Sequence, residues 1–186
     1  MIRRHPILSA GALASLLGLA ACTTTPPTSS ALATPQAFGW GFSAKARQAM
    51  AAKFGPTMLK PGDYVWQRDK AADGSTDVVI SLSSQMAYVY RGGELVAAST
   101  ISSGKMGAET PVGHFPVLQK NRTHKSNRYS NAPMPFMQRL TWRGVALHGG
   151  ALPGYPASHG CIRLPMKFAE KLFAATSVGS NVYVED

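Results

Sequence analysis

Val78-Val79-Ile80-Ser81-Leu82-Ser83-Ser84-Gln85-Met86-Ala87-Tyr88-Val89-Tyr90-Arg91-Gly92-Gly93-Glu94 is the stretch that decides the fold class. Val78, Ile80 and Leu82 recur every second position, and so do Met86, Tyr88 and Tyr90, the period of a strand that buries one face. The two glycines of Arg91-Gly92-Gly93-Glu94 suit a tight hairpin turn, with Leu95 to Ser102 as the returning strand. Working outward, Tyr64-Val65-Trp66 reads as a short strand and Asp73-Gly74 as a turn. Phe115 to Gln119, Gln138 to Trp142, Val145-Ala146-Leu147 and Val182-Tyr183-Val184 read as further strands. Short strands this closely spaced predict a mostly β sandwich or barrel rather than alternating strand and helix. Two helices accompany them. One is predicted from a Ser43 cap to Phe54, with Ala46, Met50 and Phe54 on one face and Gly55 as its stop; the other runs from Pro165 to about Ala175.

The chain has 186 residues, with 19 Lys and Arg against 9 Asp and Glu. That basic excess suits an anionic neighbourhood: nucleic acid, a membrane surface or an acidic polymer. The first residues choose among these. Arg3-Arg4 heads a short basic segment, and Ile7 to Leu19 is an apolar run too short for a membrane span, as in a secretory signal. Leu19-Ala20-Ala21-Cys22 resembles the cleavage site of a bacterial lipoprotein, which predicts a signal peptide over 1–21, lipidation at Cys22 and a membrane anchor. An exported chain does not meet nucleic acid, so that partner is dropped. Residues 22–37 are rich in Thr, Pro, Ser and Ala, a composition expected of a disordered tether. Residues 38–76 are expected to form an N-terminal extension packed on the main domain, which occupies 77–186.

Only two cysteines are present, Cys22 and Cys161. If Cys22 is a thioether, Cys161 has no partner in the chain, and a solitary thiol in an oxidising compartment points to a reagent. Its surroundings agree. Leu147-His148-Gly149-Gly150-Ala151-Leu152-Pro153-Gly154-Tyr155-Pro156-Ala157-Ser158-His159-Gly160-Cys161-Ile162-Arg163-Leu164 sets two imidazoles and a thiol among small residues that turn sharply. A thiol beside an imidazole is the minimal pair for nucleophilic catalysis, because an imidazolium can lower a Cys pKa from about 8.5 to roughly 3.5–7.5. Either His148 or His159 can serve as the base. His148, His159 and Cys161 can also be read as a zinc site with an open position. A papain-like order is excluded, since Cys precedes His in those chains.

The run Ser158-His159-Gly160-Cys161-Ile162-Arg163, with His148 upstream, resembles the L,D-transpeptidase (YkuD-type) family. Gln85 to Tyr90 with Gly93-Glu94, Ser102-Ser103-Gly104-Lys105 and Thr110-Pro111-Val112-Gly113 extend the resemblance over roughly Val78 to Val184. The resemblance implies a YkuD-like β-sandwich with short peripheral helices and no cofactor or metal. It further implies a Cys161 nucleophile acting on a peptidoglycan stem tetrapeptide and a His148 acid/base oriented by the Gly149 carbonyl. An oxyanion hole from main-chain N–H groups around His159, Gly160 and Cys161 would follow, with Ser158 and His159 shaping the pocket. Arg163 would bind a substrate carboxylate or brace the loop. The acyl group would pass to a second stem in a 3-3 crosslink, to a wall-attached protein or to water. The alternative is a non-catalytic peptidoglycan-binding lipoprotein on the same fold. The anchor would face the periplasm, on the outer membrane, because Thr23 is not the Asp associated with inner-membrane retention.

The basic run Lys120-Asn121-Arg122-Thr123-His124-Lys125-Ser126-Asn127-Arg128 reads as a solvated loop, with steering of an anionic substrate as the other option. His114 and His124 stand alone in the sequence and are read as non-catalytic.

Overall fold

A computed structural model describes residues 41–56, 58–67 and 73–186. The signal segment 1–21, the tether 22–37 and Cys22 lie outside the described residues. In chain order the elements are α1 (Phe42–Phe54), β1 (Tyr64–Trp66), β2 (Thr76–Ser81), β3 (Met86–Arg91), β4 (Glu94–Thr100), β5 (Gly113–Pro116) and β6 (Gln119–Lys125). Then follow β7 (Pro133–Arg139), β8 (Ala146–Gly149), β9 (Ile162–Leu164), α2 (Met166–Ala175) and β10 (Asn181–Glu185). They form a six-stranded sheet in the order β1-β4-β3-β2-β10-β5 and a four-stranded sheet in the order β6-β7-β8-β9. Pairing is antiparallel except for β10 with β2 and β8 with β9.

The alternation that decides the fold class explains the layering. Val78, Ile80, Val89, Val182 and Val184 point from the larger sheet to a core shared with Leu147, Ile162 and Leu164 of the smaller sheet and Phe168 and Leu172 of α2. Val79, Tyr88, Leu95 and Ala98 point the other way, onto Ala46 and Met50 of α1. The larger sheet is thus buried on both faces, which is why Val79 is apolar as well as its neighbours Val78 and Ile80. The N-terminal extension contributes β1 to this sheet as well as α1 to its outer face.

Three local expectations are corrected. Ser43 does not cap α1: Gly41 holds the cap position, and the buried Glu185 carboxylate accepts the N–H groups of Phe42 and Ser43 at 3.1 and 2.8 Å. The single strand expected over Phe115 to Gln119 is a crossover, because Val117 N–H bonds Ser180 in one sheet and Leu118 N–H bonds Arg139 in the other. The strand expected over Gln138 to Trp142 lies earlier, at Pro133–Arg139, since Leu140 N–H bonds Val145 and closes a turn. Its two prolines hid it: a missing N–H is tolerated where β8 no longer pairs, and β8 pairs β7 only at Gln138 and Arg139.

The basic run is also corrected. Gln119–Lys125 is β6, paired along its length with β7, and the run's remaining residues belong to the β6–β7 connection.

Candidate active site

The outer face of the smaller sheet carries the residues that the sequence singles out. Leu147 pairs with Ile162 and both enter the core, so their neighbours face outward: Ala146 and His148 on β8, Cys161 and Arg163 at β9. On β7, Gln138 points inward opposite Leu147, which sends Met137 and Arg139 outward. Phe136 has a left-handed backbone (φ 58°) that breaks the two-residue alternation. Met134 and Met137, three positions apart, therefore both face outward. The face reads as two rows: Arg139, Ala146 and Cys161, then Met137, His148 and Arg163.

Above these rows lies a cavity of about 270 Å³. It gathers Cys161, His148, Ser158, His159 and Arg163, with His124, Arg128, Tyr129 and Arg139. Gly149 and Gly160 are not among the lining residues and act from behind it. His148 is buried, and its Nδ1 lies 2.9 Å from the Gly149 carbonyl oxygen. Nδ1–H therefore donates, leaving Nε2 as the basic nitrogen. Burial lowers the pKa of His148 below its ordinary value; the Gly149 bond raises it in part, and the charges of Arg163 and His124 lower it further. Burial raises the pKa of the Cys161 thiol, against smaller lowering by the Ala146 N–H, Arg163 and Arg139. The thiol reaches the Gly144 carbonyl oxygen at 3.4 Å.

The loop carrying Cys161 is held from several sides. Ser158 Oγ donates to the Cys161 carbonyl and accepts the Gly160 N–H at 3.1 Å. Of the three N–H groups expected in an oxyanion hole, that of Gly160 is thus committed within the loop. Thr110 Oγ donates to the Gly160 carbonyl at 3.0 Å and accepts the Gly104 N–H at 2.9 Å. Gly104 is required there, since a Cβ would sit 2.2 Å from the Ala108 carbonyl oxygen. Ser103 accepts the N–H groups of Ala157 and Ser158 at 3.0 Å. The segments 102–105 and 110–113, noted in the sequence as family-like, include the residues that brace the Cys161 loop.

His159 lines the same cavity and stacks on Tyr129 with centroids 4.7 Å apart. Among the described residues no three His, Cys, Asp or Glu side chains are placed to hold a metal ion, so the zinc reading of His148, His159 and Cys161 has no geometric support. His124, set aside in the sequence, does not stand alone: β6 carries it into the cavity. His114 bonds Asn181 and stacks on Tyr183, outside the cavity. Arg139, Tyr129 and Gly144 were missed. Sheet pairing brings Arg139 to the site, and its only sequence signal is a basic residue at the end of a strand.

The chain was compared with known proteins. The family model for the YkuD L,D-transpeptidase catalytic domain matches residues 75–184. L,D-transpeptidase 1 of Mycobacterium tuberculosis is 32% identical over 122 residues, covering 57% of this chain and 49% of that protein. The chain thus spans about half the length of the curated relatives it matches. A crystal structure of an L,D-transpeptidase from M. tuberculosis H37Rv superposes with a TM-score of 0.57 at 26% identity, over 60% of this chain and 58% of that one. The structure of LdtMt1 in complex with imipenem gives a TM-score of 0.56 at 28% identity, over 60% and 59%. By its matched region, its two-sheet architecture and these relatives, the chain belongs to the YkuD family of L,D-transpeptidase catalytic domains.

Proposed function

We propose that this protein is a cysteine-dependent L,D-transpeptidase acting on peptidoglycan stem tetrapeptides. The observation that carries the reading is the shared cavity of Cys161 and His148, with the His148 ring fixed by the Gly149 carbonyl so that Nε2 is the base. Cys161 Sγ attacks the carbonyl between the third-position diamino acid and the terminal D-alanine while His148 Nε2 takes the thiol proton. The Gly149 carbonyl stabilises the imidazolium so formed, as a carboxylate does in the serine triad. The N–H groups of His159 and Cys161 receive the oxyanion, a role worth about 3–4 kcal/mol per donor in other enzymes. His148 then gives its proton to the leaving amine, the C–N bond breaks, D-alanine departs and a Cys161 thioester is left. An acceptor amine, losing a proton to His148, displaces the thiolate and forms the new amide. A second stem gives a 3-3 crosslink, a protein lysine gives wall attachment, and water gives trimming.

Arg163 holds a carboxylate of the donor. Its aliphatic stem lies across Gly150, where a Cβ would sit 3.2 Å from its Cγ. Arg3-Arg4, the short apolar run and Leu19-Ala20-Ala21-Cys22 support a lipid-anchored precursor, acting at the outer membrane on the periplasmic side.

Incubation with imipenem tests the catalytic reading, since a β-lactam carbonyl is an acyl donor that leaves a stable thioester. Intact-mass spectrometry is expected to show one adduct, mapped to Cys161 and absent from Cys161→Ala. An unmodified Cys161 in folded protein would leave the non-catalytic wall-binding alternative standing.

A further inference from the structure

The cavity's charged lining has one sign. Arg128, Arg139 and Arg163 face it with His124, and no Asp or Glu does. Among the described residues the ion pairs are Lys53 with Glu94 and Lys167 with Glu170, so none of these guanidiniums has a carboxylate partner. Arg128 is exposed, but Arg139 and Arg163 are half-buried, and partly desolvated cations are costly unless the ligand brings the counter-charge.

Their bonds differ in what they leave open. Arg128 donates Nη1 to the Arg143 carbonyl at 2.7 Å, tying the β6–β7 connection to the turn before β8. Arg139 donates Nε to Gln119 Oε1 at 2.9 Å. That bond fixes the plane of the guanidinium and leaves both Nη groups, the pair that binds a carboxylate with two parallel hydrogen bonds.

The rows of the sheet say which carboxylate. His148 protonates the leaving amine, and its row partner is Arg163, so Arg163 lies on the leaving-group side. Arg139 is at the opposite end of the row that contains Cys161, two strands from the thiol, or roughly 10 Å of strand spacing. An extended side chain on the acylating residue and the arm of an arginine together bridge that gap.

We propose that Arg139 is a specificity-determining residue that reads a free carboxylate at the far end of the donor's third-residue side chain. The substrate class is then a stem whose third residue is a diamino dicarboxylic acid with that carboxylate unamidated, rather than its amide or a lysine. This rests on the transpeptidase reading above. It deepens that reading by choosing among stem chemistries, and Arg139 acts by positioning the donor and does not touch the reacting atoms.

Calorimetric titration of the whole chain carrying Cys161→Ala, which binds without turnover, tests the assignment. The probes are three synthetic tetrapeptides: the free diamino dicarboxylic stem, its side-chain amide, and the lysine stem. The free stem is expected to bind about tenfold or more tightly than the other two, the scale of a charge-assisted hydrogen-bond pair. Adding Arg139→Gln is expected to bring the free stem down to the level of the others and to leave those unchanged. Arg139→Lys, which keeps the charge but not the fork, is expected to restore part of the preference, which a merely unfolded variant cannot do. Arg163→Gln is expected to weaken all three alike, because they share the terminal carboxylate. Equal binding of the free and amidated stems, or a preference that survives Arg139→Gln, would overturn the assignment and leave the transpeptidase reading intact. Binding of none of the three, together with no imipenem adduct in the cysteine-containing protein, would remove both.

Discussion

At Cys161 and His148, burial acts on two groups in opposite directions with one result. It raises the thiol pKa and lowers that of the imidazole, so both shifts favour S–H beside a neutral ring over thiolate beside imidazolium. A neutral pair at rest is therefore the expectation, in contrast to the pre-formed thiolate that a Cys next to His suggests. Iodoacetamide labelling of Cys161 is expected to rise with pH around a midpoint above the ordinary thiol value, with no plateau in mild acid. His148→Ala is expected to slow the reaction with amide-bearing donors by several orders of magnitude. His159→Ala is expected to keep the shape of the labelling profile. A mildly acidic plateau that vanishes in His159→Ala would reverse the base assignment. Cys161 and His148 were legible because local composition singles them out: one thiol in a turn-rich stretch, one imidazole at a strand end. His124 and Arg139 were not, since pairing of β6 with β7 and of β7 with β8, rather than any local motif, brings them to the cavity.

Among the elements, β6 was misread for a physical reason. Its residues are mostly exposed and basic, and its inward contacts are a lysine and an arginine: Lys120 Nζ bonds the Phe173 and Thr176 carbonyls at the end of α2, and Arg122 lies over Phe136. A strand that packs through long charged side chains carries no apolar alternation to detect. The strands β2, β3 and β4 were legible because each buries a face. Helix α1 was legible in extent and not in its cap, which a residue more than a hundred positions away supplies. Glu185→Ala is expected to cost about 1–2 kcal/mol by leaving two helix N–H groups without their acceptor. Urea unfolding followed by circular dichroism checks this, with early loss of α1 to limited proteolysis as the local sign.

For the whole molecule, the shifted groups set the pH range of stability. The folded-state pKa of His148 is lowered from 6.5, so below that value the unfolded chain binds more protons, and stability falls as pH drops from about 6.5 toward the folded value. That of Cys161 is raised from 9.0, so above that value the unfolded chain releases its proton first, and stability falls again as pH rises. Tyr90, pushed up to about 12, adds to the alkaline side. Thermal melting is expected to be highest between about pH 6.5 and 9 and to decline on both sides. His148→Asn is expected to flatten the acid limb, and an unchanged acid limb would show that other groups dominate it.

The placement of β10 also bears on how the nascent protein matures. Synthesised after the other described strands, it slots into the larger sheet between β2 and the edge strand β5, and its Glu185 secures the first helix. Until it docks, β5 has no neighbour in the sheet and the first N–H groups of α1 lack their carboxylate. Completion of the larger sheet and the hold on the first helix therefore depend on the same late strand, which ties the two ends of the described chain into one folding event.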